Sequence, residues 1–189
     1  MKMSTSQKFV LFAGLAFLCT SSALGQTEGV AAKALPQTAG DRVAEIYSLV
    51  SSAGGKLPDW DKVRSCFLKE AIVVLRTTRT TQTTFNLDGF IQDFIDFYVR
   101  PFKFGTATFV PQETGFSEKV VRMKTWEFAD MAHVLVLYEA YITGSPVQPQ
   151  QGVDSWLLVR REGRWLITAI TNELVSAANP VLPELREAK

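Results

Sequence analysis

Few residues in this chain of 189 could do chemistry: one histidine, two cysteines, four tyrosines and scattered carboxylates. His133 and Glu139 form the most tempting pair, since an imidazole helped by a carboxylate makes a good general base. Both lie in MAHVLVLYEAYITG (Met131 to Gly144), which alternates like a strand. They share a face but stand six residues apart, roughly 20 Å at strand rise, so they cannot form a dyad within one chain. His133 therefore reads better as a surface or interface histidine. Cys19 falls in an apolar N-terminal run, which leaves Cys66 alone without a disulfide partner. A nucleophilic Cys66 would need His133 as its base, and the simpler reading is a buried, inert thiol. One His and one Cys cannot build a zinc site unaided, and nothing in the sequence calls for a metal or a cofactor.

The carboxylates are similarly dispersed. Asp88 reads as a helix cap, and Asp93 and Asp96 fall on the polar face of the same helix. Asp154 and Glu173 are placed at strand ends, where they could reach the mouth of a cavity, although a solvated role is the simpler one. Tyr47, Tyr98 and Tyr138 point toward the core by periodicity. Buried tyrosine hydroxyls need partners, so these could orient a ligand or satisfy one another. With Trp60 and Trp165 they could line an apolar pocket having a few polar contacts, or serve as ordinary core aromatics.

Positioning these groups falls to a simple series of elements. Lys2 and Lys8 precede the apolar run Phe9 to Cys19, followed by TSSALGQ. That is a positive n-region, an h-region too short to span a bilayer, and a small-residue exit, so residues 1–25 read as a signal peptide and the protein as exported. Losing both lysines brings the formal charge of +1 close to neutral. No basic stripe is present to neutralise phosphates, which argues against nucleic-acid binding. The Arg160, Arg161, Arg164 group sits at a turn, where charge means solvation. No second long apolar run appears, so no span is expected after cleavage.

Residues 26–40 are small, polar and aperiodic and read as a flexible leader. The spacing predicts a helix from an Asp41 cap to Gly54-Gly55, with Val43, Ile46, Tyr47 and Val50 on one face. Asp59 caps a second predicted helix, WDKVRSCFLKEA. AIVVLR (residues 71–76) is a strand, and the polar Thr77 to Phe85 piece an edge or excursion. Asn86 or Asp88 starts a third helix that Pro101 ends. Strands follow at Gly105 to Glu113, Lys119 to Phe128, Met131 to Gly144, and in the hairpin 153–173 turning at Arg-Glu-Gly-Arg. Residues 177–189 hold two prolines and read as an irregular tail. Helices followed by a run of strands make an α+β fold with an antiparallel sheet.

In the strand from Met131, one face carries Ala132, Val134, Val136, Tyr138, Ala140 and Ile142, and belongs to the core. The other carries Met131, His133, Leu135, Leu137, Glu139 and Tyr141. A strand apolar on both faces is buried on both, which predicts a homodimer through the outer face, with His133, Leu135, Leu137 and Tyr141 in the contact.

The order of these elements resembles the nuclear transport factor 2-like superfamily, in particular its SnoaL-like and ketosteroid-isomerase-like branches. The resemblance runs over residues 41–176. It rests on a helix with an early Trp60 before a short strand, the Gly89-Phe90-Ile91 helix, Ala132 in a long strand, and SWLLVRREGRWLITAITNE with its Gly163 turn, Trp165 and Thr171-Asn172. It implies a curved sheet wrapped around N-terminal helices into a cone with an apolar cavity, and a frequent habit of sheet-to-sheet dimers. Members include isomerases, dehydratases and cyclases as well as non-catalytic modules, so the fold does not settle the function. Three readings follow. The leading one is an exported domain that binds a small apolar molecule. The second is an acid–base isomerase, dehydratase or cyclase, which requires a carboxylate or tyrosine of perturbed pKa inside the cone. The third is a non-catalytic homodimeric association module whose cavity is filled by its own side chains. The sequence matches no enzymatic member residue by residue, and leaves catalysis open.

Overall fold

Helix α1 (Ala39–Val50) is set by a capping box one turn earlier than the Asp41 cap predicts. The Thr38 hydroxyl accepts from the Asp41 amide at 3.0 Å, and the Asp41 carboxylate accepts from the Thr38 amide at 3.1 Å. Asp41 is thus the third helical residue rather than the cap. The computed structural model describes residues 38–78 and 80–186. The predicted signal peptide and all but the last three residues of the leader lie outside them. Among the described residues, no helix is long and apolar enough to cross a membrane.

After a two-residue strand β1 (Ser52–Ala53), Asp59 caps α2 (Trp60–Arg64) as expected, its carboxylate accepting from the Lys62 amide at 3.0 Å. The helix is much shorter than predicted, because Phe67 already begins strand β2 (Phe67–Arg76). Phe67, Ala71 and Val73 are wanted in the core, and only extended backbone brings them all there. The Thr-rich piece becomes the edge strand β3 (Gln82–Asn86). Asn86 caps α3 (Leu87–Val99), and Phe90, Ile91 and Tyr98 form its buried stripe. The predicted strand at 105–113 is instead a small two-stranded sheet, β4 (Phe102–Phe104) with β5 (Ala107–Phe109), followed by the short helix α4 (Pro111–Thr114).

The remaining strands are β6 (Gly115–Phe128), β7 (Met131–Ile142), β8 (Gln150–Arg161) and β9 (Arg164–Leu174). They build a curved, unclosed seven-stranded sheet in the order β1-β6-β7-β8-β9-β2-β3. The fold is α+β. One pairing departs from an all-antiparallel sheet, since β2 runs parallel to β9. That pairing lets a strand near the start of the domain close against the last one, with α1 and α3 folded over the inner face.

Of the register shifts in the sheet, two bulges decide which residues of β6 and β9 face inward. Val120 pairs with Tyr138 and Arg122 with Leu137, so Val121 is an extra residue in β6. Leu157 pairs with Ala169 and Leu158 with Ile167, so Thr168 is extra in β9. Each insertion reverses the alternation beyond it. The inner face of β7 is the one its periodicity predicts, with Ala132, Val134, Val136 and Tyr138 all buried. On the outer face Leu137 is buried, while Met131 and Tyr141 are exposed. There the C-terminal segment folds back, and its 3-10 turn (Pro183–Leu185) lies against β6 and β7.

Candidate functional site

Inside the sheet lies a cavity of about 60 Å³ whose lining is apolar except at one end. Ile46 and Val50 of α1, Leu75 of β2 and Phe90 and Phe94 of α3 make the apolar part. Tyr47, Glu118, Asp154 and Asn172 make the polar end, beside the ring of Trp156.

The polar end is assembled from four elements. Asp154, Trp156 and Leu158 alternate along the inner face of β8, so Asp154 is buried with only 6 % exposure. The Tyr47 hydroxyl donates to Asp154 Oδ2, and the Tyr47 ring meets Trp156 edge-on at 5.7 Å and Tyr138 at 6.1 Å. The Asn172 amide donates from Nδ2 to the Tyr138 hydroxyl at 3.0 Å, and its carbonyl accepts from the Arg76 amide at 2.6 Å. Glu118 is held at the edge of the sheet by Ser51, whose Oγ donates to the Glu118 carbonyl at 2.9 Å and accepts from its amide at 2.8 Å.

Two polar atoms at this end are buried without a partner: Asp154 Oδ1 and the indole N–H of Trp156. An unpaired buried acceptor costs about 1–3 kcal/mol, so a native fold keeps one only for a reason. Removal from water also shifts the acids. Burial raises the Asp154 carboxyl from 3.8 to about 7, against the lowering effect of the Tyr47 hydrogen bond and of the nearby Asn172 side chain. Glu118 rises from 4.5 to about 8, first through burial and then through the negative charge of Asp154. Tyr47 and Tyr138 are both pushed above the ordinary phenol value by burial and by these two carboxylates. Around neutral pH both carboxyls are thus partly protonated, and between them can donate and accept inside an apolar cavity.

Of the five aromatic residues singled out from the sequence, Tyr47 lines this cavity and Tyr138 touches it through Asn172. The other three stand elsewhere. Trp60 and Tyr98 meet at 5.9 Å in an aromatic cluster with Phe94, where the Tyr98 hydroxyl donates to the Val50 carbonyl at 2.7 Å. Trp165 is buried toward the hairpin end of the sheet, with the Arg160 guanidinium 5.1 Å above its ring. Its carbonyl accepts from Arg42 Nε at 2.9 Å. Arg42 is itself buried, paired with Glu45 at 2.7 Å, and donates to the buried Cys66 sulfur at 3.1 Å. Burial raises the Cys66 thiol above its ordinary value, so it is a poor nucleophile.

The remaining candidates are dispersed. Asp88 forms a surface ion pair with Arg64, Asp96 accepts from Gln92, and Glu173 pairs with Arg76. His133 is on the outer face, stacked on Trp126 at 5.3 Å with a 3.0 Å hydrogen bond to Ser155. Among the described residues, no three His, Cys, Asp or Glu gather closely enough to hold a metal ion.

The solitary strand-end role expected of Asp154 is not what the structure shows. Strand β8 begins at Gln150, which moves Asp154 well inside it. The alternation of Asp154 with Trp156 and Leu158 was the available signal. For Glu118 the sequence carried none: continued alternation groups it with Arg122, Lys124 and Trp126, and only the Val121 bulge turns it inward.

Helices packed on the inner face of a curved sheet also occur in solved structures. A nuclear transport factor 2-like protein with a cystatin-like fold from Novosphingobium aromaticivorans superposes with a TM-score of 0.51 at 12 % identity, covering 74 % of this chain and 82 % of that one. The chain has the nuclear transport factor 2-like fold. Two further structures with this fold carry names that suggest activities. One, from Streptomyces avermitilis, is described as a candidate dehydratase of the nuclear transport factor 2-like family (TM-score 0.53, 13 % identity, 73 % and 94 % coverage). Another, from N. aromaticivorans, is described as a candidate aromatic ring hydroxylase (TM-score 0.50, 15 % identity, 72 % and 90 % coverage). No family model matches the sequence. No curated protein matches it significantly.

Proposed function

We propose that this is an exported small-molecule-binding domain, and that its ligand presents a small polar end to Asp154 while its apolar body lies among Ile46, Phe90 and Phe94. The observation that carries this reading is the orphaned, buried Asp154 Oδ1 at the end of an apolar cavity, beside an equally orphaned Trp156 N–H. A ligand carrying one donor and one acceptor would satisfy both. The cavity as it stands has room for a few waters or one small polar group. Binding a larger molecule requires Phe90 and Phe94 to move aside.

Acid–base chemistry on a carbonyl compound is the second reading, favoured by the protonation of the Asp154–Glu118 pair. A carboxylate whose pKa lies near the working pH can take a proton from an acidic carbon and return it elsewhere. The candidate dehydratase with this fold supports this second reading. We further propose homodimerisation through the outer face, where Trp126, Phe128, Met131 and Leu157 leave an exposed apolar patch around His133.

Native mass spectrometry of the protein purified from its own cells tests binding. The expected result is a bound organic molecule in the natural chain and none in Asp154→Leu. A ligand-free natural chain whose Phe90 and Phe94 rings remain rigid by NMR would overturn the reading in favour of a filled, non-catalytic module. Export predicts that the secreted form begins at Gln26, which N-terminal sequencing reads directly.

A further inference from the structure

A large groove lies on the opposite side of the sheet from Asp154. The chain leaves β9 at Leu174, is held once more by the Val175 amide donating to the Gln151 carbonyl at 3.0 Å, and turns at Ser176–Asn179. It then crosses the outer face and is pinned there by Leu185, which is only 2 % exposed. Between this strap and the sheet is a groove of about 650 Å³. Its floor is Leu135, Val153 and Thr171, and its roof Val181 and Leu182. That volume is in the range of sites for drug-sized molecules, and more than ten times that of the inner cavity.

The charges around it select the occupant. Glu173 is neutralised by Arg76, which holds it through two hydrogen bonds, and burial does not raise its pKa because that pairing lowers it. Among the described residues Arg186 has no carboxylate partner: its guanidinium is oriented by Nε donating to the Val181 carbonyl at 2.8 Å, within the strap itself. The groove thus combines an apolar floor and roof with one oriented cation, which suits a monoanion with an apolar body.

We propose that the strap and the outer sheet face form a second binding site, for an amphipathic monoanion such as a medium-chain carboxylate, with its chain over Leu135 and Val153 and its anionic end at Arg186. This site is independent of the reading given to the inner cavity. The test is calorimetric titration of the full chain with decanoate, supported by displacement of the fluorescent probe anilinonaphthalene sulfonate. One-to-one binding is expected. Arg186→Gln should weaken it about tenfold, the size of one charge-assisted hydrogen bond. Leu135→Trp, which fills the floor, should abolish it, and Asp154→Asn should leave it unchanged. Decanol should bind more weakly than decanoate to the natural chain, and equally to Arg186→Gln. Should Leu135→Trp not fold, the exposed Arg186→Gln and the decanol comparison still decide. Absence of decanoate binding at millimolar concentration, indifference to Arg186→Gln, or loss of binding in Asp154→Asn would each overturn the proposal.

Discussion

The Tyr47 hydroxyl of α1 donates a hydrogen bond to Asp154 of β8, joining residues 107 positions apart at the polar end of the inner cavity. It works against the rise in that carboxyl's pKa. Tyr47→Phe should therefore raise the Asp154 pKa further, seen by carbon-13 NMR of the carboxyl. It should also cost about 1–2 kcal/mol in urea unfolding at pH 8, where the acceptor is charged. An unchanged titration would mean that the bond contributes nothing in solution.

Asp154 and the partly buried Glu118 set the pH dependence of stability. Both have folded-state values, about 7 and about 8, above their ordinary 3.8 and 4.5. Between those limits the folded state binds more protons than the unfolded one, so stability falls as pH rises. The stabilisation from protonated Asp154 and Glu118 is fully present near pH 4 and is lost through pH 7 to 8. The loss should be on the order of a few kcal/mol for the pair. Urea titrations at pH 5 and pH 8.5 measure it. Asp154→Asn, with no charge to bury, should flatten the slope and be more stable than the natural chain at the higher pH. A profile that rises toward alkaline pH would refute this assignment.

Gly152 faces Tyr138 directly across β7 and β8, and the Tyr138 ring lies where a Cβ would stand. The ring itself, and not only its hydroxyl, must shift if a methyl group is added. Gly152→Ala should break the Tyr138–Asn172 hydrogen bond and cost about 1–3 kcal/mol. The double variant Gly152→Ala, Tyr138→Phe should recover little of that loss, because the clash is with ring carbons.

Self-association is expected through the outer face. Phe128 is 75 % exposed and Met131 61 %, and the two are cross-strand neighbours. Light scattering should report a dimer for the natural chain and a monomer for Phe128→Asp, with the circular dichroism unchanged. A natural chain that is monomeric at high micromolar concentration would exclude this interface.

Much of the fold was legible because local signals are strong where they are chemical. Asp59 and Asn86 cap their helices as their side chains suggest, and Pro101 follows the end of α3. Alternation in β7 identified the core face correctly, since no bulge interrupts that strand's own sequence. The second helix is shorter than its pattern predicts because WDKVRSCFLKE has helical spacing, while the tertiary demand on Phe67 and Ala71 pulls the chain into β2. Asp154 was within reach, once its alternation with Trp156 and Leu158 is extended back to Gln150.

By itself the sequence determined an α+β order of elements, a long closing hairpin, one apolar face of β7 and a lone Cys66 in the chain after the predicted signal peptide. These follow from periodicity and from residue types acting on their immediate neighbours. Only the tertiary structure decided that Glu118 and Asn172 face the same cavity as Asp154. Each lies beyond or before a one-residue bulge, and an inserted residue reverses every later side chain without leaving a mark on the pattern of its own strand. It also decided where the C-terminal segment rests. Leu185 is one apolar residue among prolines and charges, and nothing local says that it is buried against β6 and β7.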